Sequence, residues 1–466
     1  MNPIVPLILA VALFMEQMDS TVIATALPAI AADLHVGPIT LKLALTAYMV
    51  ALAIFIPISG WMADRFGAKL VFRTAIAVFL TGSAMCAFSG SLSEFVISRF
   101  LQGMGGAMMT PVGRLVILRT TSRTELVRAM ALLTIPGLVG PLAGPPLGGF
   151  ITTYFTWHWI FLINIPIGLL GLILTSIYLP KIEAERPPPI DWTGFFLLAT
   201  AASGVVFGLS VISMPALPPA VGIGATVTGC AATLWYILHA RRSEKPLLDL
   251  KLFAVPTFRT AILAGTFFRI AAGAFPFLLP LMLQIGFGFT PFQSGMTTFI
   301  SAIGAIATKF IAPRVLAFTG FKRLLLTTGS LGALLMFAIG LIEPTTPTAI
   351  ILGILLISGF TRSFFFTSIN VLAYADIDAR AASQATAMSS TIQQVSLALG
   401  VAFAALVLEI SSLFAGATLS VAQFHVAFHV VAICSALAVV PILTLTRESG
   451  ASVSGQGRHG AAEGGH

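Results

Sequence analysis

The chain has 466 residues, of which 57% are hydrophobic and only 9% charged, with a formal net charge of +8 and a mean hydropathy of +0.99. Soluble domains carry about 25% charged residues, so a water-soluble globule is excluded and lipid is the solvent that makes the sequence reasonable. Nucleic-acid binding is excluded as well, because the basic residues sit in short loops between apolar runs and form no patch or stripe.

Only helices or closed barrels span lipid, since every backbone polar group must be satisfied internally. The apolar runs here are long and continuous rather than short and alternating, so they predict helices. In chain order they fall near 4–28, 42–62, 70–89, 94–116, 127–151, 159–179, 193–213, 217–239, 258–283, 291–312, 324–342, 347–372, 385–409 and 425–446, about fourteen segments of roughly twenty residues. The opening run, Pro3 to Met15, lacks a basic flank and continues into Glu16 and Asp19, so it predicts the first half of a retained helix and not a signal peptide. The tail 447–466 is small, polar and Gly-rich, and disorder is expected there.

Loop charge tests the count. With the N-terminus inside, the even-numbered connections hold Arg65, Lys69 and Arg73; Arg119, Arg123 and Arg128; Lys181 and Arg186; Arg241, Arg242, Lys245 and Lys251; Arg314, Lys322 and Arg323; and Arg380. The odd-numbered connections hold essentially only Lys42. The bias stays in phase to the end, predicting an even count with both termini cytoplasmic.

A faint repeat links the loop Gly60–Lys69 to the loop 312–323: both are basic and Gly-containing, and each follows the second helix of a six-helix block. It predicts an N-terminal block over 1–180, a linker with two inserted helices over 181–256 and a C-terminal block over 257–446. No acid stands in the second loop at the place of Asp64, so no symmetric role for that loop is expected.

Glu16 and Asp19 are acids inside the first helix, three apart and so on one face. Burial favours the neutral form of a carboxyl, and an intramembrane acid is a candidate for proton coupling. The alternative is a structural acid paired within the bundle. Arg99 and Gln102 enter the fourth helix from outside, at roughly 8 and 12 Å depth, and Asp19 lies roughly 13 Å deep. The three can therefore meet. An arginine favours the charged acid, so its movement could load and unload a proton; a static ion pair is the alternative.

In the fifth helix, Gly140, Gly144 and Gly148 form a ridge that admits close backbone contact, and Pro136, Pro141, Pro145 and Pro146 loosen it. This segment reads as a gate between the blocks, with plain tight packing as the alternative. Arg269 and Arg362 are mid-helix cations in the C-terminal block, with Lys309 at a helix edge and no acid at mid-depth in the ninth or twelfth helix. Such cations need a partner or an anionic substrate. With Asn370 and Met108 they are the candidate substrate contacts, packing being the alternative for Met104, Met108 and Met109. No metal site is expected: His425 and His429 are only two ligands. Cys86, Cys230 and Cys434 lie in apolar runs without ligand or disulfide spacing.

Five motifs appear in order. They are Asp19-Ser-Thr21 with Ala26-Leu27-Pro28, the Gly60–Lys69 loop, Arg99–Gly106, the Gly140–Gly149 run, and Trp157-His-Trp159 through Asn164-Ile-Pro166. Together they resemble the major facilitator superfamily, in its fourteen-helix drug:proton antiporter branch, over nearly the whole chain. The stretches 106–115 and 283–292 are most similar to MdtD-like members.

The resemblance implies an all-α membrane protein with the major facilitator fold, two six-helix blocks plus two inserted helices. It implies a secondary transporter that exports a lipophilic drug-like compound in exchange for protons by alternating access. It implies that Asp64, Arg65 and Gly67 form a cytoplasmic latch. No Gly-x-x-x-x-Gly-Lys-Ser/Thr loop is present, so a proton gradient and no cofactor is the expected energy source. The expected partners are a small molecule and the lipid bilayer of a bacterial inner membrane, the chain being a monomer. The rival readings are export of an organic anion or metal chelate of the citrate type and, more distantly, a membrane-embedded enzyme. The enzyme would need a catalytic cluster that the sequence does not show.

Overall fold

The structure, a computed structural model, describes residues 4–121, 125–180, 189–212, 214, 217–378, 381–415, 419–446 and 449. Almost all of the 447–466 tail lies outside these, as do Arg123, Lys181, Arg186 and Arg380 and the side chains of Arg128 and Lys309. The regular structure among the described residues is all helical, without a strand.

The helices are α1 (Ile4–Val22), α2 (Leu27–Asp33), α3 (Lys42–Phe66), α4 (Ala68–Ala87), α5 (Leu92–Thr120), α6 (Leu126–Tyr154), α7 (Trp159–Leu162) and α8 (Asn164–Tyr178). They continue with α9 (Trp192–Val211), α10 (Pro219–Arg242), α11 (Pro256–Leu281), α12 (Pro291–Ile339), α13 (Thr348–Tyr374), α14 (Ala382–Ala415), α15 (Val421–Ala436) and α16 (Val439–Leu443). Among the described residues, eleven helical stretches are long and apolar enough to cross a membrane. The other three expected segments fall on α5, α6 and the first limb of α12.

Some boundaries differ from expectation. The first apolar run is not one helix: it tightens into a 3-10 turn at Ile23–Thr25 and restarts as α2, with Pro28 in the first turn. Proline lacks the N–H that an interior position must donate, and at a helix start none is missed. The run near 291–342 is broken only at Gly320 (φ 70°), so the helix continues through Arg314. Gly67 (φ 86°) separates α3 from α4 in the same way. Positive φ costs glycine no Cβ clash, so one residue suffices for each reversal.

The chain divides into two compact units, one of Met1–Leu247 with Gly288–Met296 and one of Leu248–Phe287 with Thr297–His466. In the first unit α1 packs on α6, α3 and α4 on α5, and α8 on α1 and α4. The α9–α10 hairpin joins this unit through α3. Its two helices meet glycine on backbone, Gly204 against Gly229 and Gly208 against Gly222, and Phe55 stacks obliquely on Phe195 of α9 at 6.1 Å. In the second unit α11 is the hub, packing on α13, α14 and α15.

A two-fold correspondence runs deeper than the loop sequences. Two residues after each reversal stands a lysine. Lys69 Nζ donates to Ser176 O (2.9 Å) and Leu179 O (2.5 Å) at the end of α8. Lys322 Nζ donates to Leu443 O (3.1 Å) and Leu445 O (2.6 Å) at the end of α16. A cation there satisfies carbonyls that have no helical donor and opposes the negative end of the helix dipole. The second loop does share a role with the first, contrary to expectation. The lysine carries it, not the acid.

Candidate functional site

The first unit holds a polar cluster inside an apolar bundle. Asp19 on α1 is fully buried and Arg99 on α5 is 1% exposed. Arg99 Nη1 donates to Asp19 Oδ2 at 2.6 Å and to Gln102 Oε1 at 2.6 Å. Gln102 Nε2 and Asn164 Nδ2 each donate to Asp19 Oδ1 at 2.8 Å. Asn164 also donates to Ser83 Oγ at 3.0 Å, which donates to Phe161 O at 2.9 Å. The Arg99 guanidinium lies over the Tyr48 ring, 4.3 Å from its centre. Two buried charges are tolerable in lipid only when paired and hydrogen-bonded, and every one of these partners serves that end.

The cluster is built from spacing. Arg99, Gln102, Gly106 and Thr110 recur every three or four residues on one face of α5. Thr110 Oγ1 donates to Glu16 Oε2 at 3.1 Å, and Gln17 Nε2 donates to the same atom at 3.2 Å. Glu16 is buried too. The two acids therefore stand one turn apart on α1, each facing α5 but held by different partners. Tyr48 Oη, Arg99 Nε and Asn164 Oδ1 are buried without a hydrogen-bond partner among the described residues.

Among the described residues the glycine ridge on α6 lies against α1. A Cβ at Gly140 would press on Gln17 and Met18, at Gly144 on Thr21, and at Gly148 on Val22 and Thr25. These positions bracket the acids. The residues beside the ridge face the segment Gly288–Met296, with Gly149 on Pro291 and Gly295 on Pro145. The α6 backbone runs as one helix past its prolines.

Asp64 accepts from Arg119 Nη2 at 2.8 Å, linking the ends of α3 and α5, with both side chains partly exposed. Arg65 is exposed and Gly67 makes the reversal.

In the second unit Arg269 on α11 is 1% exposed, and its Nη2 donates to Asn370 Oδ1 on α13 at 2.8 Å. Its Nε and Nη1 find no partner among the described residues. Arg362 lies over the Phe275 ring at 4.2 Å, with Ser301 Oγ at 3.5 Å. Among the described residues neither arginine pairs with a carboxylate. The arginines and Asn370 thus share the α11–α13 seam, while Met108 lies elsewhere, with Met104 in an apolar groove between α3 and α4. His425 Nε2 meets Ile342 O at 3.0 Å, and the His429 ring stacks on Phe337. Among the described residues no three metal-ligating side chains converge.

Sequence reasoning missed Asn164, Ser83, Tyr48 and Thr110 as members of the cluster. Asn164 had a signal, an amide inside an apolar run. The others are ordinary in any apolar helix, and only the packing gives them a role.

The Major Facilitator Superfamily sequence model matches residues 9–401. A Shigella sonnei protein with the multidrug-resistance designation MdtD is 38% identical over 409 residues, covering 86% of this chain and 85% of its own. A Salmonella paratyphi B protein of the same designation is 37% identical with the same coverage. The crystal structure of a D-xylose–proton symporter superposes with a TM-score of 0.67 over 96% of this chain and 98% of its own, at 14% identity, a likeness of fold alone. With its all-helical spans and buried ion pair, this chain is a multi-pass membrane transporter and belongs to the Major Facilitator Superfamily.

Proposed function

We propose that the protein exports lipophilic drug-like compounds from the bacterial cytoplasm across the inner membrane, in exchange for protons and by alternating access. The observation that carries this is the buried Asp19–Arg99 pair with its amide clamp. Export against a gradient needs a group that changes charge within the membrane. Asp19 is an acid whose partners Arg99, Gln102 and Asn164 are all hydrogen-bond donors. Protonation of Asp19 would release Arg99, and Glu16 one turn away is the second acid. The ridge of α6 against α1 would carry that change along the bundle, the gating role of Gly140, Gly144, Pro145 and Gly148. The Asp64–Arg119 pair, with Arg65 and Gly67 beside it, would latch the cytoplasmic end. A monomer without cofactor suffices for such a cycle.

The test is Asp19→Asn, which keeps the shape and removes the titrating group. In inverted vesicles it should abolish proton-linked efflux of a lipophilic cation while the protein remains in the membrane. Normal efflux would move coupling to Glu16 or end the reading. Orientation is tested separately, in a variant lacking the native cysteines: labelling from outside should fail at Ser243→Cys and succeed at Ser412→Cys.

A second reading rests on Arg269. Two of its donors are buried without partners, and no carboxylate among the described residues neutralises it. An organic anion or metal chelate of the citrate type would supply both. Arg269→Gln and Arg362→Gln should then lose stabilisation by citrate or ferric citrate and keep the response to lipophilic cations. If citrate stabilises none of the proteins, this reading fails.

A further inference from the structure

The apolar groove behind α5 is absorbed by none of the roles above. It encloses about 310 Å3 and is lined by α3, α4 and α5 of the first unit. Its one hydroxyl-bearing side chain is Thr74. A site that orients a compact solute needs several convergent polar groups, and this groove offers almost none. What it offers is length. Along α3 it extends from Phe66 back to Phe55, eleven residues or roughly 16 Å, and along α4 from Leu70 to Val78, eight residues or roughly 12 Å. One leaflet of hydrocarbon is about 15 Å deep, half of the ~30 Å core. The groove starts at the α3–α4 reversal and ends one leaflet in.

Its outer end is marked by charge. Phe66 and Leu70 are half exposed there. Arg65 adjoins Phe66, and Arg73 follows Leu70 by three residues, both on the exposed surface. Neither arginine is paired with a carboxylate among the described residues, whereas Asp64 is taken by Arg119 and Lys69 by the end of α8. Two arginines without a carboxylate partner among the described residues, beside the outer part of an apolar slot about one leaflet long, match a single amphiphile with an anionic head and an extended chain.

We propose that the α3–α4–α5 groove is a binding site for one anionic phospholipid, its acyl chain lying along Thr74 and Met108 and its phosphate at Arg65 and Arg73. The leaflet follows from the orientation proposed above, which makes this end cytoplasmic; binding itself does not depend on it. Because Met108 stands on the back of the helix whose front carries Arg99 and Gln102, the bound chain supports the wall against which the polar cluster is built.

The experiment uses the delipidated full-length protein in detergent, with phosphatidylglycerol and phosphatidylcholine of identical chains added in turn, read by native mass spectrometry and thermal stability. Wild type should retain one phosphatidylglycerol in preference to phosphatidylcholine. Juxtamembrane cations attract anionic lipid by about fivefold each, so Arg73→Gln should lower the preference by about that factor without touching the packing. Thr74→Phe should displace the lipid by filling the slot, in a protein whose elution volume is unchanged. Equal retention of the two lipids by wild type would overturn the proposal. So would phosphatidylglycerol retention unaltered by both substitutions. Loss of a lipophilic cation, rather than lipid, from Thr74→Phe would make the groove a drug site and overturn it too.

Discussion

The two units solve the same packing problem with opposite charges. In the first, α1 lies on α6 through Gly140, Gly144 and Gly148; in the second, α11 lies on α14 through Gly273 and Gly400, each with neighbouring atoms where a Cβ would stand, backbone at all but Gly144, which meets the Thr21 side chain. In each a lysine two residues past a glycine reversal holds the end of a later helix, α8 or α16. Yet the first helix of one unit carries Asp19, paired with Arg99, whereas the first helix of the other carries Arg269, hydrogen-bonded to the neutral Asn370 and without a carboxylate partner among the described residues. Shared scaffold contacts fix the shape, and the polar positions left inside it are free to differ. Among the described residues, one unit holds a closed ion pair and the other a cation without a carboxylate.

Breaking that contrast should give the largest effect. Removing one partner of a buried pair leaves an uncompensated charge, at a cost of about 3–5 kcal/mol. Arg99→Gln should therefore lower thermal stability in detergent severely, whereas Arg269→Gln, which removes a cation with no carboxylate partner among the described residues, should leave stability equal or higher. Equal losses in both would show that Arg269 has an acid partner after all.

The shared glycine contacts come next. Gly144→Leu forces a side chain into Thr21 and Gly400→Leu into the Ile270 backbone, and overpacking costs about 1–3 kcal/mol. Both proteins should still insert, and Gly144→Leu should stop transport, because its ridge lies beside the acids. Full activity of Gly144→Leu in a vesicle assay would detach α6 from the coupling helix. The lysines sharpen the comparison further. Lys69→Met and Lys322→Met should each cost about 0.3–1 kcal/mol, and the two melting shifts should match. A loss confined to one would mean that the correspondence is geometric without being energetic.

The smallest effect is expected at Tyr48. Its ring lies under Arg99, but its hydroxyl has no partner among the described residues. Tyr48→Phe should change stability by no more than about 0.5 kcal/mol. A larger loss would reveal a bonded hydroxyl, and with it a further member of the cluster.

The sequence alone determined the solvent of this protein, its helical class and its family, and it singled out Glu16, Asp19, Arg99 and Gln102, which the fold buries near one another. Each depends on composition or on spacing along one helix, and lipid allows so few backbone solutions that apolar runs translate directly into helices. Asp19, Arg99 and Gln102 could be brought together on paper because rise per residue gives depth. Rotation about a helix axis and the choice of neighbour were beyond that reach. Only the tertiary structure decided that the α6 ridge faces α1, that Asn164 and Ser83 complete the clamp on Asp19, and that Met108 turns away to an apolar groove. It also decided that lysines, not the acid, carry the symmetry of the two loops. These are contacts between residues up to 145 positions apart, set by which faces exclude lipid together, and no local pattern encodes them.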